Sequence, residues 1–333
     1  MAKDATRGVV GISIRDAMLR MIELQHANGE TKVTKLSQGK VKTPFQASVF
    51  KEEALTHKFA EDLNRLYEIS NFQAQAAILT LDSNLVSIKR MPIDASLKGQ
   101  RLQDHVHWEI EQCFINPREE YIIDFEHAPP TPEQEQAEVI VVAVRRAIVN
   151  FLKKVFRETD LRLSAIEVDV FAAHRAWATN YEVDKDGYMA LIDLRRDNMQ
   201  FALLQDGMFL LAQEVDYPVE EQAAAPGIDD TFLPRLLSKE LRRIILDHKL
   251  GKGVEELRAL YLHGDNVGDQ LVHALQETHK IKIERINPFR KVKIEDQSAD
   301  PLAQTHPEVF AVCVGAALKS VAKSDNQSSS GGR

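Results

Sequence analysis

Few side chains in this sequence stand at spacings that could do chemistry. His105 and His107 lie two residues apart beside Trp108. On a strand, that spacing would place both imidazoles on one face for a metal ion. The segment reads as a helix, on which they point apart, and no cysteine or acidic cluster completes a ligand set. Glu240 and Arg243, three apart on a helical pattern, form a surface ion pair worth about 0.5 kcal/mol. Asp193 and Arg195 stand two apart, as Ser13 and Arg15 do earlier in the chain. Taken alone, such an Asp is a turn or capping residue. Arg145-Arg146 and Lys153-Lys154 read as a solvated face. Cys113 and Cys313 sit in apolar stretches and read as inert core thiols. Neither a Ser-His-Asp order nor a glycine-rich Walker loop is present, so hydrolase and P-loop readings have no support.

The elements that must position these residues begin with a weak internal duplication. Residues 8–24 and 187–204 each read as strand, polar turn, strand, and they align without gaps, Ser13 against Asp193 and Arg15 against Arg195. Each first strand is almost wholly apolar, as a strand buried on both faces should be. Two copies of one hairpin far apart in sequence predict two related lobes. Between them, Leu55, Phe59, Leu63 and Leu66 follow helical spacing, residues 76–81 form a buried-type strand, and 84–89 read as a polar link. Residues 102–114 predict a helix, 121–125 a strand, 139–144 a very apolar strand and 147–158 a helix. The proline-rich acidic turn at 128–138 is an exposed loop. Further strands are expected at 163–168, 257–262 and 281–284. Helices are expected at 170–178, 232–248, 270–277 and 307–321. The tail SDNQSSSGGR predicts disorder.

The bulk numbers fit two or more globular domains: 333 residues, 44% hydrophobic and 28% charged. A net charge of −8 argues against a general nucleic-acid binder, since nothing neutralises a row of phosphates. Two distant cysteines fit a reducing compartment without a disulfide framework. No stretch approaches the ~20 apolar residues needed to span a bilayer, and the N-terminus lacks a signal peptide's apolar run. Any membrane role is expected to come through a partner, without direct insertion.

Four segments together resemble the actin-like superfamily and, within it, the PilM family of type IV pilus assembly proteins. They are Gly11-Ile12-Ser13-Ile14-Arg15 ending in Glu23-Leu24, Ile192-Asp193-Leu194-Arg195, Glu240-Leu241-Arg242-Arg243, and Leu260-Tyr261-Leu262-His263-Gly264-Asp265 with Ile286-Asn287-Pro288-Phe289 beyond it. The segment from Cys113 to Phe125 is similar to a stretch of the family's extra subdomain. The resemblance implies an α/β, actin-like two-lobed fold of two related RNase H-like lobes with an inserted α+β subdomain. The expected division is 1–84 in lobe 1, 85–165 inserted, 166–185 back in lobe 1, 186–322 in lobe 2 and 323–333 a disordered tail.

In such proteins the two hairpin turns grip phosphates with bare backbone, which is why glycine stands there, and an acid on each hairpin serves magnesium or the attacking water. Here the first acid is Ser13, both turn glycines are Arg15 and Arg195, and Asp265 follows Gly264 in the adenine turn. Only Asp193 keeps its family identity in the phosphate hairpins. The nucleotide cleft formed by Ser13, Arg15, Asp193, Arg195, Glu240, Arg243, Gly264 and Asp265 therefore reads as degenerate, with no catalytic or metal residue. The arginines are expected to face each other across an empty cleft, balanced by Asp16, Asp193 and Asp197; the other outcome is a cleft that binds an anion without hydrolysing it. No cofactor is expected; the alternative is an active ATPase that binds ATP with magnesium and switches or polymerises.

The resemblance further implies a scaffold of a pilus-type platform, cytoplasmic and peripheral to the inner membrane. Its expected partner is the cytoplasmic tail of a single-pass, PilN-like membrane protein. Homo-oligomer and motor-ATPase contacts are further family possibilities. The tail-binding groove should have walls at 76–88 and 102–144, where a peptide adds as a strand or packs as a short turn. Rival members of the superfamily are the GspL-like secretion proteins and the FtsA-like division proteins, the latter requiring a C-terminal amphipathic helix.

Overall fold

The computed structural model describes residues 7–27, 29–45, 47–112, 118–128, 137–182, 187–217, 232–295 and 300–330. Cys113, most of the proline-rich turn and the last three residues lie outside them. In chain order the elements are β1 (Arg7–Ala27), β2 (Glu30–Phe45), α1 (Thr56–Ile69), β3 (Ala76–Leu81), β4 (Val86–Ile93), α2 (Gln100–Glu111), β5 (Tyr121–His127) and β6 (Ala137–Arg145). They continue with α3 (Arg146–Arg157), β7 (Arg162–Val168), α4 (Asp169–Asn180), β8 (Tyr188–Leu194), β9 (Asn198–Gln205), β10 (Met208–Asp216) and α5 (Phe232–Asp247). Last come β11 (Leu257–Gly264), α6 (Asp269–Thr278), β12 (Lys282–Arg285), β13 (Lys293–Ile294), α7 (Leu302–Thr305) and α8 (Ala311–Ser330).

The extended run β1 folds back on itself at Asp16, whose φ is +50. A Cβ placed on Gly8 would lie 3.6 Å from Gln25 Cγ, whereas straight strand would hold the two about 55 Å apart at roughly 3.3 Å per residue. The first arm pairs in parallel with β3, Val10 to Ala77 through Ser13 to Thr80, and the second pairs antiparallel with β2. The second copy of the hairpin is β8 against β9, antiparallel. Sheet orders are β13-β2-β1-β3-β7 in lobe 1 and β10-β9-β8-β11-β12 in lobe 2. With β1 counted as two arms, both lobes share a three-strand antiparallel meander followed by two parallel strands, and lobe 1 adds β13 outside β2. The duplication thus predicts the architecture correctly.

Each lobe is a sheet covered on both faces, so its central strands are apolar throughout. On one face of lobe 1, α1 and α3 bring Phe59, Leu63, Phe151 and Leu152 onto Val10, Ile12 and Leu79. On the other, α4 and α8 approach so closely that small residues are required. A side chain on Gly11 would collide with the Cys313 carbonyl, and one on Gly315 with the Ala172 carbonyl. In lobe 2, α5 and α6 cover one face with Leu237, Leu241, Ile244 and Leu275. The helix α4 serves both lobes: Ala172 and Ala173 join the lobe 1 core, while Val170, Trp177 and Tyr181 pack on lobe 2 with Leu191 and Leu204. The Asn-Pro-Phe segment docks there too. The Asn287 N–H donates to the Tyr181 hydroxyl at 2.8 Å, and the Phe289 N–H donates to Asn287 Oδ1 at 2.9 Å.

The insert is smaller than expected. Its sheet β4-β6-β5 alternates as the strand period requires. Met91, Ile93, Val139 and Val141 face α2, while Val86, Ile88, Ile140 and Val142 face lobe 2. The residues read as a polar link at 84–89 run straight into β4. Residues 146–165 belong to lobe 1, not to the insert, because the apolar side of α3 finds its partners in Phe50 and Phe59 and β7 pairs with β3. Likewise β13 and α8 return to lobe 1 rather than closing lobe 2. Helix α8 also continues to Ser330 instead of stopping near residue 321. Propagation adds one hydrogen bond per residue fixed, and no glycine or proline intervenes before Gly331.

Candidate functional site

The two hairpin turns meet between the lobes, and their arginines cross to the opposite lobe. Arg15, from β1, reaches over to Asp193 on β8. Its Nη1 donates to Oδ1 at 2.9 Å, and its Nη2 lies 2.6 Å from Oδ2. Arg195, just past β8, reaches the other way. Its Nη1 donates to Asp82 Oδ1 at 2.8 Å and its Nη2 to Asp169 Oδ2 at 2.7 Å. The same guanidinium donates through Nε to Asp193 Oδ2 at 3.1 Å and through Nη2 to Gln200 Oε1 at 3.1 Å. Gln200 in turn donates to the Ser83 hydroxyl. The result is a reciprocal clamp in which each lobe holds the other through a guanidinium.

The strand ends explain the placement. Leu81 and Val168 pair in register at the ends of the parallel strands β3 and β7, so the next residues, Asp82 and Asp169, emerge side by side. Asp169 also opens α4, where the helix dipole favours a carboxylate, and its Oδ1 accepts from the Ser83 and Val170 N–H groups at 3.2 and 2.6 Å. Gly264, at φ +102, has no room for a side chain, which would strike Asp193 Oδ1 and the Leu194 carbonyl. The Arg195 carbonyl accepts from Asn266 Nδ2 at 2.6 Å and from the Tyr217 hydroxyl at 3.1 Å, fixing the turn from behind.

Charge and burial decide the electrostatics. Arg195 is 3% exposed, Asp193 2% and Asp169 4%. Two guanidinium groups face three aspartates, with Glu214 a further 3.6 Å from Arg195 Nη1. Burial alone would raise Asp193, but Arg15 and then Arg195 outweigh it and hold the carboxyl well below the usual carboxylate range. For Asp169, burial dominates over the pull of Arg195, and with Asp82 adding to the rise it stands at about 7. Burial pushes the His263 imidazole down to about 4; its Nδ1 lies 3.7 Å from Asp193 Oδ1. A second latch joins Arg20 of β1 to Asp265, with Arg20 also donating to Gln38 and standing 6.0 Å from the Phe310 ring centroid. Between the turns a cavity of about 10 Å³ remains, bounded by Ser13, Arg15, Thr80, Asp169 and Gly264. That is the room of one water.

Of the residues singled out in the sequence, Ser13, Arg15, Asp193, Arg195 and Gly264 come together here, and Asp265 forms the second latch. Glu240 and Arg243 pair with each other at 2.7 Å on α5, as their spacing predicts. The cleft is filled rather than empty, and the balancing charges differ in part from those expected. Asp193 balances both arginines as expected, whereas Asp16 and Asp197 are exposed at the turn tips and Asp82 and Asp169 stand in their place. Asp82 directly follows the apolar strand β3, but β7, which precedes Asp169, mixes polar and apolar residues, so the sequence alone does not bring the two together. His105 and His107 lie on α2, a helix, as expected.

A second feature is a groove of about 1020 Å³. It runs along the outer edge of β7, which pairs with β3 alone. Phe156 of α3 and Phe171 of α4 flank that edge. Ile122 and Phe125 of β5, Ile140 and Val142 of β6, and Phe209 of β10 close the far side. Leu81 and Val86 come from the expected 76–88 wall, and β5 and β6 from the expected module. Leu102 and α2 lie on the far face of the insert sheet. The β7 edge, α3 and α4 were not foreseen as walls, because the sequence shows that β7 is a strand without showing which edge is left open.

A family model described as type IV pilus assembly protein PilM matches residues 11–218. Among solved structures, a PilM–PilN type IV pilus biogenesis complex is 20% identical at a TM-score of 0.75, covering 94% of this chain and 98% of that one. A protein of actin-like ATPase fold and unknown function from Bacteroides thetaiotaomicron gives 10% identity and 0.48, covering 92% and 97%. The cytoplasmic domain of EpsL, an inner-membrane component of the type II secretion system of Vibrio cholerae, gives 13% and 0.43, covering 94% of each chain. The fold is the actin-like α/β fold with an inserted subdomain.

Proposed function

This chain belongs to the PilM family of type IV pilus assembly proteins, and on that premise we propose that it is a scaffold which binds the cytoplasmic tail of a PilN-like membrane protein and turns over no nucleotide. The observation that carries the docking half is the groove beside β7. An unpaired strand edge offers backbone donors and acceptors to an extended segment, and the apolar side chains around it offer pockets for alternate residues. Among the described residues no helix is long and apolar enough to cross a membrane. A membrane-anchored tail would hold the protein at the cytoplasmic face of the inner membrane.

The reciprocal clamp supports the other half. A triphosphate with magnesium needs backbone approach at both turns and free carboxylate or water oxygens for the ion. Here guanidinium groups occupy both turns, Asp193 and Asp169 are engaged by them, Ser13 supplies no charge, and the remaining room is about 10 Å³. ATP with magnesium does not fit these residues. Loss of one transition-state interaction alone costs about 3 kcal/mol.

Two measurements test the two halves separately. Calorimetry with ATP and magnesium should show no heat of binding for the natural sequence; micromolar affinity would overturn the closed-cleft reading. PilN-like tail peptides should bind the natural chain and lose affinity at least ten-fold to Ser164→Trp, which places bulk on the exposed part of β7. Equal binding by both proteins would remove the groove from consideration.

A further inference from the structure

The protein as a whole is acidic, at net charge −8, yet the lobe 1 wall of the groove is not. Lys153 and Arg157 on α3, Arg162 on β7, Arg175 on α4 and Lys319 on α8 border it, against the single carboxylate of Glu167. Arg175 and Lys319 share that carboxylate, at 3.0 and 2.7 Å. Among the described residues Lys153, Arg157 and Arg162 have no ion-pair partner, and all three are exposed. Five cations on one carboxylate leave this wall strongly positive, whereas the insert wall opposite carries Asp124 and Glu126.

The layering of lobe 1 sets where those charges stand. Helix α3 covers one face of the sheet and α4 with α8 the other. A segment pairing with the β7 edge would extend that sheet by one strand. Its successive side chains would point alternately toward the two helical layers. Cations wait in both: Lys153 and Arg157 in the α3 layer, Arg175 and Lys319 in the α4 layer. Apolar residues of the same segment would meet Phe156 or Phe171 near the edge, and Ile140 and Val142 on the insert.

Resting on the reading that this groove is the docking site, we infer that its partner segment is an extended strand that mixes apolar residues with carboxylates, the acids being held by the cations of the lobe 1 wall. Close charges of this kind act chiefly on selectivity and encounter rate. Their effect at an exposed wall falls with salt.

Fluorescence anisotropy with three labelled twelve-residue peptides tests this. All share one apolar pattern and carry Glu, Ser or Lys at the remaining positions. On the full natural chain at low salt, the Glu peptide should bind at least ten-fold tighter than the Lys peptide, and raising the salt to 0.5 M should erase most of that difference. The double variant Arg157→Glu/Arg162→Glu changes exposed, unpaired residues and should fold normally; it should reverse the preference toward Lys. Equal binding of the Glu and Lys peptides, or a preference for Lys by the natural chain, overturns the inference. If the Ser peptide binds and Ser164→Trp blocks it while Glu adds nothing, docking stands and the acidic character falls. If Ser164→Trp changes the binding of none of the three, the groove reading falls as well.

Discussion

Arg195 directs its guanidinium donors at Asp82, Asp169, Asp193 and Gln200, so removing it takes a cation from three carboxylates at once, of which Asp193 alone keeps a close partner in Arg15. Breaking a buried charge cluster by deleting one partner costs about 3–5 kcal/mol. We expect Arg195→Ala to lower stability to urea by that amount, and Arg15→Ala by less, because Arg15 is 13% exposed and holds mainly Asp193. The clamp also sets a pH dependence. The folded protein keeps a proton on Asp169 up to about pH 7, whereas the unfolded carboxyl sheds it near the ordinary aspartate value of 3.8. That group's contribution therefore declines as pH rises between these limits. His263 works in the opposite sense, its stability contribution growing from about pH 4 to 6.5. Asp169→Asn removes the declining part, so its melting temperature should rise more from pH 4.5 to 7 than that of the natural chain; parallel curves would count against a proton held on Asp169. At this scale the sequence displayed the arginines plainly, because they interrupt a hairpin where glycine is expected. It did not display their partners, since Asp82 and Asp169 become neighbours only through the Leu81–Val168 register.

At the scale of elements, apolar periodicity located most of the interior. The strands β3, β8 and β11 and the helices α1, α3 and α5 are all legible from runs or stripes of buried residues. The strands that escaped, β2, β4, β10 and the two-residue β13, lie at or beside a sheet edge. In β2 and β4 polar residues stand between the apolar ones, while β10 opens on the apolar run 208–212 but buries only Phe209 fully. Destination was harder to read than existence. Helix α3 shows a strongly amphipathic stripe, but only the fold says that Phe50 and Phe59 receive it. Helix α8 shows a small-residue surface whose meaning is the close approach to α4. Gly315→Ala should force the two apart and destabilise the protein by about 1–3 kcal/mol or more, the usual cost of overpacking. An unchanged unfolding midpoint would mean that the contact between α4 and α8 is slack.

Across the whole molecule, the groove beside β7 and the arginine clamp are built from consecutive residues. Leu81 and Val168 line the groove, and Asp82 and Asp169 hold Arg195. No loop separates the two members of either pair, so there is no slack to absorb a displacement. A side chain wedged against Leu81 or Val168 works as a load on the short arm of a lever whose long arm is the opposite lobe. Hydrogen exchange of the backbone at 83–85 and 196–198 should therefore change when a peptide fills the groove, although neither segment touches it. This protein would then report the arrival of its partner through strand ends that pass directly from one site into the other, with no nucleotide needed as the messenger.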